Sequence, residues 1–413
     1  MRRFVSGFGA GYALVYQWCL TGLLCFAGNS PLFAQVESDE RPLAVSTEGL
    51  IFNKDSVFRL SMRFRMQNRF GYFSKLDAEP GPGFEAQVRR LRLRFDGYVG
   101  SPKLGYYIQL SFSRSDQDLV SGTIAQTVRD AMVYYTFSKR FYMGFGQSKL
   151  PGNRERVISS GNLQLPDRSI ANNLYTLDRD FGFFGYYTLP MGKQVLSLKT
   201  AITEGEGRGQ NITTTGLAYT GRLEWLPLGT FKNTGDYSEG DNEFEPSPKL
   251  SLAAGYSYNH RTVRSGGQLG STLPAPVNMG TFIADLMFKY SGWGLMAEYF
   301  NRRVDGFDET SAHLSTLRKV PEGVGYNLQG SRMLGRKDEI TLRYAAVQPT
   351  TRRSLYQLSY ISRQLGYTHY FNKHRIKLQY VMGLDDRQQP GTNPNTHLFK
   401  NRWVSMLQVE LGI

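Results

Sequence analysis

The sequence predicts an all-β fold, a transmembrane antiparallel β-barrel of about 16 strands, and three observations predict it. Apolar and polar side chains alternate with a period of two in segment after segment. The connections between those segments alternate between short and long. Beyond residue 34, no stretch approaches the ~18–20 consecutive apolar residues that a spanning helix requires.

The N-terminus comes first in that reading. Arg2 and Arg3 precede an apolar stretch from Val5 to Ala27, and Leu32-Phe33-Ala34 ends in a small residue, so residues 1–34 are expected to be a signal peptide. Cys19 and Cys25 both lie inside it, which leaves an exported chain without a disulfide. Removing that segment takes away two basic and no acidic residues and leaves 47 basic against 35 acidic, so the cationic excess belongs to the mature chain. Residues 35–56 read as a short periplasmic N-terminal segment and 57–413 as an outer-membrane barrel.

The first strand sets the pattern. Phe58, Leu60, Met62, Phe64, Met66, Phe70 and Tyr72 fall on one face, and Arg59, Arg63, Arg65 and Arg69 on the other. An arginine that meets hydrocarbon near the midplane costs ~2–4 kcal/mol. Four on one strand therefore approach the ~5–15 kcal/mol net stability of a folded protein. The arginines are expected to face a water-filled lumen and the apolar residues lipid. Arg90, Arg92 and Arg94 take the same face on the next strand, opposite Leu91, Leu93 and Phe95.

Strands are expected at 57–72, 87–100, 103–114, 128–138, 140–148, 179–190, 193–204 and 215–227. Eight more follow at 248–260, 279–290, 293–304, 323–334, 338–348, 355–371, 373–384 and 400–413. Links at 100–103, 138–140, 190–193, 290–293, 334–338 and 371–373 are short; those at 73–86, 114–128, 148–179, 204–215, 260–279, 304–323 and 384–400 are long. Link 227–248 breaks the alternation, being long where a short turn belongs. In the strand at 355–371, Tyr356, Leu358 and Tyr360 alternate out of phase with Leu365 and Tyr367, so a bulge is expected near Ser362-Arg363. Trp225, Tyr290, Trp293 and Trp403 lie on the outward face, as interface girdles do.

Several stretches together resemble the phosphate-selective porins O and P, in the form common in Bacteroidetes-type bacteria. They are Arg89-Arg90-Leu91-Arg92, Gly146-Gln147-Ser148-Lys149-Leu150-Pro151, Asp167-Arg168-Ser169 and Arg179-Asp180-Phe181-Gly182. Gly221-Arg222-Leu223 with Pro227, Gly235-Asp236-Tyr237, Pro248-Lys249-Leu250, Asp285 to Tyr290 and Glu298-Tyr299 continue the series. The resemblance implies a sixteen-stranded homotrimeric porin in the outer membrane of a Gram-negative cell, in contact with lipid and lipopolysaccharide. Its third loop, 149–178 here, folds inward, and a ladder of arginines conducts small anions such as phosphate. The pore-lining, anion-binding candidates are Arg59, Arg63, Arg65, Arg69, Arg90, Arg92 and Arg94 on the wall, Lys149, Arg154 and Arg168 at the loop, and Arg222 beyond it.

Other readings stay open. Acids such as Asp96, Asp130, Asp285, Glu298 and Glu410 facing the same lumen would pair with the arginines and leave a general porin of weak anion preference. The acidic run Asp236, Glu239, Asp241, Glu243 and Glu245 reads as a solvated connector or, less readily, as a divalent-cation site without a defined ligand loop. An outer-membrane enzyme would have to use His260, His313, His369, His374 or His397, and no nucleophile elbow or paired metal-ligand spacing accompanies them. A purely structural barrel is the remaining class. No cofactor, metal or nucleic-acid partner is expected.

Overall fold

Period-two alternation produces strands throughout the described chain. The computed structural model describes residues 45–46, 49–54, 57–74, 83–113, 127–209, 216–305, 320–349, 359–390 and 397–413, so the expected signal peptide lies outside the described residues. Strands β1 (Val45–Ser46) and β2 (Gly49–Lys54) precede β3 (Phe58–Phe73), β4 (Gly83–Val99), β5 (Ser101–Ser111), β6 (Val128–Thr136) and β7 (Phe141–Lys149). Two short helices, α1 (Arg154–Val157) and α2 (Ile170–Tyr175), come next. They are followed by β8 (Arg179–Met191), β9 (Gln194–Thr203), β10 (Ala218–Leu226), β11 (Lys249–Arg264) and β12 (Thr272–Tyr290). The series ends with β13 (Trp293–Asp305), β14 (Gly323–Leu334), β15 (Asp338–Pro349), β16 (Tyr360–Asn372), β17 (Ile376–Pro390) and β18 (His397–Gly412).

Each strand from β3 to β18 pairs antiparallel with its sequence neighbours, and β18 pairs with β3. This closes a sixteen-strand barrel. Closure removes the edges whose unpaired peptide groups hydrocarbon would not tolerate. The alternation holds through the seam: Ser61, Gln67 and Arg69 are buried, whereas Phe70 and Tyr72 are exposed on the outer face. Trp225, Tyr290, Trp293 and Trp403 are likewise exposed.

Three expectations change in detail. Within 35–56, β1 and β2 pair antiparallel with each other, and β2 pairs with Phe58–Met62 of β3. The link between β11 and β12 shrinks to 265–271, because both strands run past the expected ends. No bulge interrupts β16 at Ser362-Arg363; the register to β17 is continuous from Tyr360 to Tyr370. Tyr360 faces inward, where its hydroxyl donates to Asp385 Oδ2 at 2.6 Å, so an aromatic residue sits on the lumenal face without a phase change. Tyr356 and Leu358 lie outside the described residues.

The apolar core lies within the barrel. Leu150, Ala171, Tyr175 and Leu177, from the segment between β7 and β8, pack against Met132, Phe184, Ile283, Phe300 and Val347 of the wall. Ile158 and Leu163 meet Met287 and Met296, and Leu165 meets Val381, Val404 and Met406. Burying one such aliphatic side chain is favourable by ~1.5–3 kcal/mol. Glycines on the wall make room for it: a β-carbon at Gly366 would collide with Leu165, and one at Gly325 would press on Tyr175 and Ala171.

Link 227–248 is not a solvated connector. Asp236, Glu239, Asp241 and Glu245 are buried. Asp241 Oδ2 accepts from the amides of Gly292 (2.7 Å) and Glu245 (3.1 Å), and Lys289 Nζ donates to the carbonyls of Gly235 (2.7 Å) and Ser238 (2.8 Å). The Glu239 amide reaches the Asn162 carbonyl at 2.9 Å, and Glu239 Oε2 accepts from the Gln164 amide at 2.8 Å. Segments from opposite rims thus meet inside the barrel.

The outer face gives a direct test. Leu342 on β15 is 61% exposed. Leu342→Arg is expected to cost ~2–4 kcal/mol near the midplane and less towards either interface. The readout is a lower fraction of heat-modifiable, folded protein on gels; an undiminished fraction would place that side chain away from lipid.

Candidate functional site

The arginine face of β3 meets the arginine face of β4 in register. Arg63 lies opposite Arg94, Arg65 opposite Arg92, and Gln67 opposite Arg90. Like charges directly across a strand pair destabilise it unless something else holds them. Asp96 serves the first pair, accepting from Arg63 Nη2 at 2.7 Å and from Arg94 Nε at 2.9 Å, while the Arg94 guanidinium also stacks 4.6 Å from the Tyr107 ring centre. The second pair reaches serines of the segment between β7 and β8. Arg65 donates to Ser159 Oγ (3.1 Å) and Ser160 Oγ (2.8 Å), and Arg92 to Ser160 Oγ (3.1 Å). Hydroxyls do not cancel charge, and the carboxylate paired with Arg65, Glu410, lies at 3.9 Å.

Two irregularities add to this cationic wall. The β3–β4 register shifts between Gln67 and Asn68, so Arg89 and Arg90 are both turned towards Asp167. The β5–β6 register shifts between Gln109 and Leu110, and Arg129 and Asp130 are both buried. A bulge places two successive side chains on one face. Strict alternation misses Arg129 for that reason, although a run of two polar residues at a strand end is the available signal.

Two cavities flank the segment 150–178. The first, about 790 Å³, opens beside the rim of short turns. It is lined by Arg63, Arg65, Arg92, Arg94, Arg129, Lys149, Arg156, Arg168, Arg179 and Arg375, against Asp96, Asp130 and Glu410. The second, about 720 Å³, lies towards the rim of long loops, and Arg168 lines both. Arg168 Nε donates to the Glu155 carbonyl at 2.7 Å and Nη2 to that of Ile158 at 2.9 Å. Burial lowers its pKa to about 10, with Glu155 and Glu239 opposing the fall, so it remains a cation at neutral pH.

The structure therefore gathers Arg63, Arg65, Arg92, Arg94, Lys149 and Arg168 in one cavity. Lys149 Nζ donates to the carbonyls of Val157 (3.2 Å) and Ile158 (3.3 Å). Arg69 and Arg90 sit further along the wall. Arg69 pairs with Glu85 and Asp167, and Arg90 donates to Gln67 Oε1 at 2.7 Å. For Asp167, burial opposes ionisation, but Arg89, Arg69 and Arg90 outweigh it and hold the carboxyl below its usual range. Arg59 lies near the start of β3, opposite Tyr98, and lines neither cavity.

Arg154 and Arg222 do not join the group. Both side chains are 0% exposed, whereas Arg63 and Arg94 are 34% and 39% exposed. Arg222 donates to both oxygens of Asp285, at 2.6 and 2.9 Å, and to Glu224 Oε1 at 2.7 Å. Arg154 Nε reaches Asp285 Oδ1 at 3.2 Å and its Nη2 reaches Ser251 Oγ at 2.7 Å. Burial disfavours the Arg154 cation, yet Glu224 and Asp285 reverse that and bind its proton more tightly than usual. These two arginines clasp the loop to the wall, because the acids of β10 and β12 lie within reach and exclude water. Glu155 extends the clasp, accepting from Arg343 Nη2 at 3.0 Å and from the Ser169 hydroxyl at 2.6 Å. Arg156 is held by Asp178, and Arg179 grips Asp130 at 2.9 and 3.1 Å.

A closed sixteen-strand barrel whose sequence matches a porin family defines an outer-membrane channel of the porin class. The chain belongs to the phosphate-selective porin O and P family, whose pattern matches residues 60–411. Among solved structures, an anion-selective porin from Comamonas acidovorans is similar with a TM-score of 0.55 at 13% identity, over 86% of this chain and 99% of that one. The outer membrane channel DcaP of Acinetobacter baumannii gives 0.51 at 13% identity, over 87% and 99%. OmpT of Vibrio cholerae gives 0.50 at 11% identity, over 87% and 99%. Likeness at such identities shows the fold alone. Comparison with curated protein sequences finds no match.

The clasp predicts its own failure. Asp285→Asn leaves two buried guanidiniums short of a counter-charge, an expected loss of ~3–5 kcal/mol. The barrel is expected to lose its heat-resistant gel mobility at a lower temperature, and trypsin to cut after Arg154, Arg156 or Arg168. Wild-type melting with an uncut loop would reject the clasp.

Proposed function

We propose that the barrel is a channel for passive diffusion of small anions, with phosphate or a related oxyanion as its preferred solute. The observation that carries this reading is the 790 Å³ cavity, where ten basic side chains face three acidic ones. Guanidinium forks match tetrahedral oxyanions, and cationic rings select anions. Arg63, Arg65, Arg92, Arg94, Lys149 and Arg168 are the proposed anion-contacting set, with Arg69 and Arg90 leading towards it. The segment 150–178 is proposed to narrow the pore, export is proposed to use residues 1–34, and the working assembly is proposed to be a homotrimer. Conduction without catalysis is the reading that family membership supports.

A second reading has its own observation. Asp96 already shares Arg63 and Arg94, and Asp130 takes up Arg179, which favours a general pore of mild anion preference. Reversal potential across a planar bilayer under a chloride gradient tests the common part. Anion preference is expected at low salt and less of it at high salt, since screening weakens exposed fixed charge. Saturable block of chloride current by phosphate, pyrophosphate or sulfate is expected of the first reading, and none of the second. Arg63→Glu with Arg65→Glu is expected to leave the barrel assembled while anion preference falls or reverses. Cation preference in the unaltered protein would overturn both readings.

A further inference from the structure

The two cavities are alike in size and differ in how many charged side chains line them. The cavity near the short turns is walled chiefly by basic and hydroxyl side chains. The one near the long loops combines Arg69, Arg168, Arg387 and Arg402 with an apolar bank. Phe73, Ile170, Leu174 and Leu269 are its partly exposed members, with Val347, Val404 and Met406 buried behind them. A path for hydrated inorganic ions gains nothing from apolar surface. About 720 Å³ falls in the range of small-molecule sites, ~300–1,000 Å³, which are apolar with a few placed polar groups.

We propose that this cavity is a binding site for an organic anion that carries one anionic head on an apolar body. Its charged and apolar parts stand side by side. The Arg387 guanidinium lies 4.6 Å from the Tyr360 ring centre, and that of Arg402 lies 5.1 Å from the Phe73 ring centre. An anionic head beside either guanidinium leaves its body along the bank. Two carboxylates share the cavity: Asp385 accepts from Arg402 at 3.3 Å, and Asp167 pairs with Arg69. Glu85 and Asp167 take up Arg69, and Arg168, Arg387 and Arg402 against Asp385 leave the site cationic. Arg168 lines the cavity as well. Its Nη1 makes no hydrogen bond among the described residues, while Nε and Nη2 are fixed on backbone carbonyls.

The test is equilibrium binding, so it does not depend on whether the barrel conducts. Phenyl phosphate, inorganic phosphate and phenol are titrated calorimetrically into the intact protein in detergent micelles, with empty micelles as the blank. Phenyl phosphate is expected to bind at least about tenfold more tightly than either of the others, because head and body are both engaged. Leu174→Gln with Leu269→Ser is expected to bring it within about threefold of inorganic phosphate; glutamine keeps the helix preference of leucine, and position 269 lies in a loop outside the strand pairing. Leu269→Ser alone is the second variant, should the double variant fail to fold, and is expected to lower the preference part of the way. Equal affinity for phenyl phosphate and inorganic phosphate in the unaltered protein would overturn the site. So would a preference undiminished in either folded variant.

Discussion

A peptide group in hydrocarbon has no water to bond, and that constraint organises this molecule. Every strand from β3 to β18 must pair on both sides, and the closed wall divides side chains into two sets with no intermediate choice. The inward set then faces a bore too wide for wall side chains to fill. Segment 150–178 occupies part of it from one rim and link 227–248 part from the other, and they bond to each other at Asn162, Gln164 and Glu239. The interior is consequently packed like a globular core on one side and open on the other.

Charge follows the same division. The acids of β10, β12 and β13, Glu224, Asp285 and Glu298, are taken up by the loop, through Arg154 and by Asn153 Nδ2 at 3.0 Å from Glu298. Buried ion pairs of this kind contribute little net stability relative to apolar packing, but they are costly to break, so they fix where the loop sits. Across the bore, the central arginines of β3 and β4 meet serines. The loop is therefore held by buried ion pairs on one side of the bore and by serine hydroxyls that accept from Arg65 and Arg92 on the other.

All sixteen barrel strands were legible from periodicity, because lipid on one face and water on the other leave no freedom in the phase of Phe64, Arg65 and Met66. The arginine faces of β3 and β4 were legible for the same reason. What escaped were places where tertiary packing overrides alternation. Arg129 turns inward at a bulge, and Ile283, Met287, Phe300 and Met406 are apolar on the lumenal face because a loop docks there. Consecutive apolar residues such as Leu286-Met287-Phe288 were the available trace of that docking. Arg154 and Arg222 looked like pore residues since sequence shows a charge but not its neighbour. The burial of link 227–248 had only its anomalous length to announce it.

The seam of the barrel has a temporal meaning. One edge of β3 is completed by two pieces from distant parts of the chain: β2 covers Phe58–Met62, β18 covers Arg65–Phe73, and Ile413 exchanges backbone bonds with Phe64 at 3.1 and 3.3 Å between them. Neither piece is long enough to protect that edge alone. Ring closure is therefore a contact between β3 and β18, the two barrel strands most distant from each other in the chain. Before that pairing forms, the β3 edge along Arg65–Phe73 is a row of unpaired peptide groups, the kind of edge that another extended chain matches.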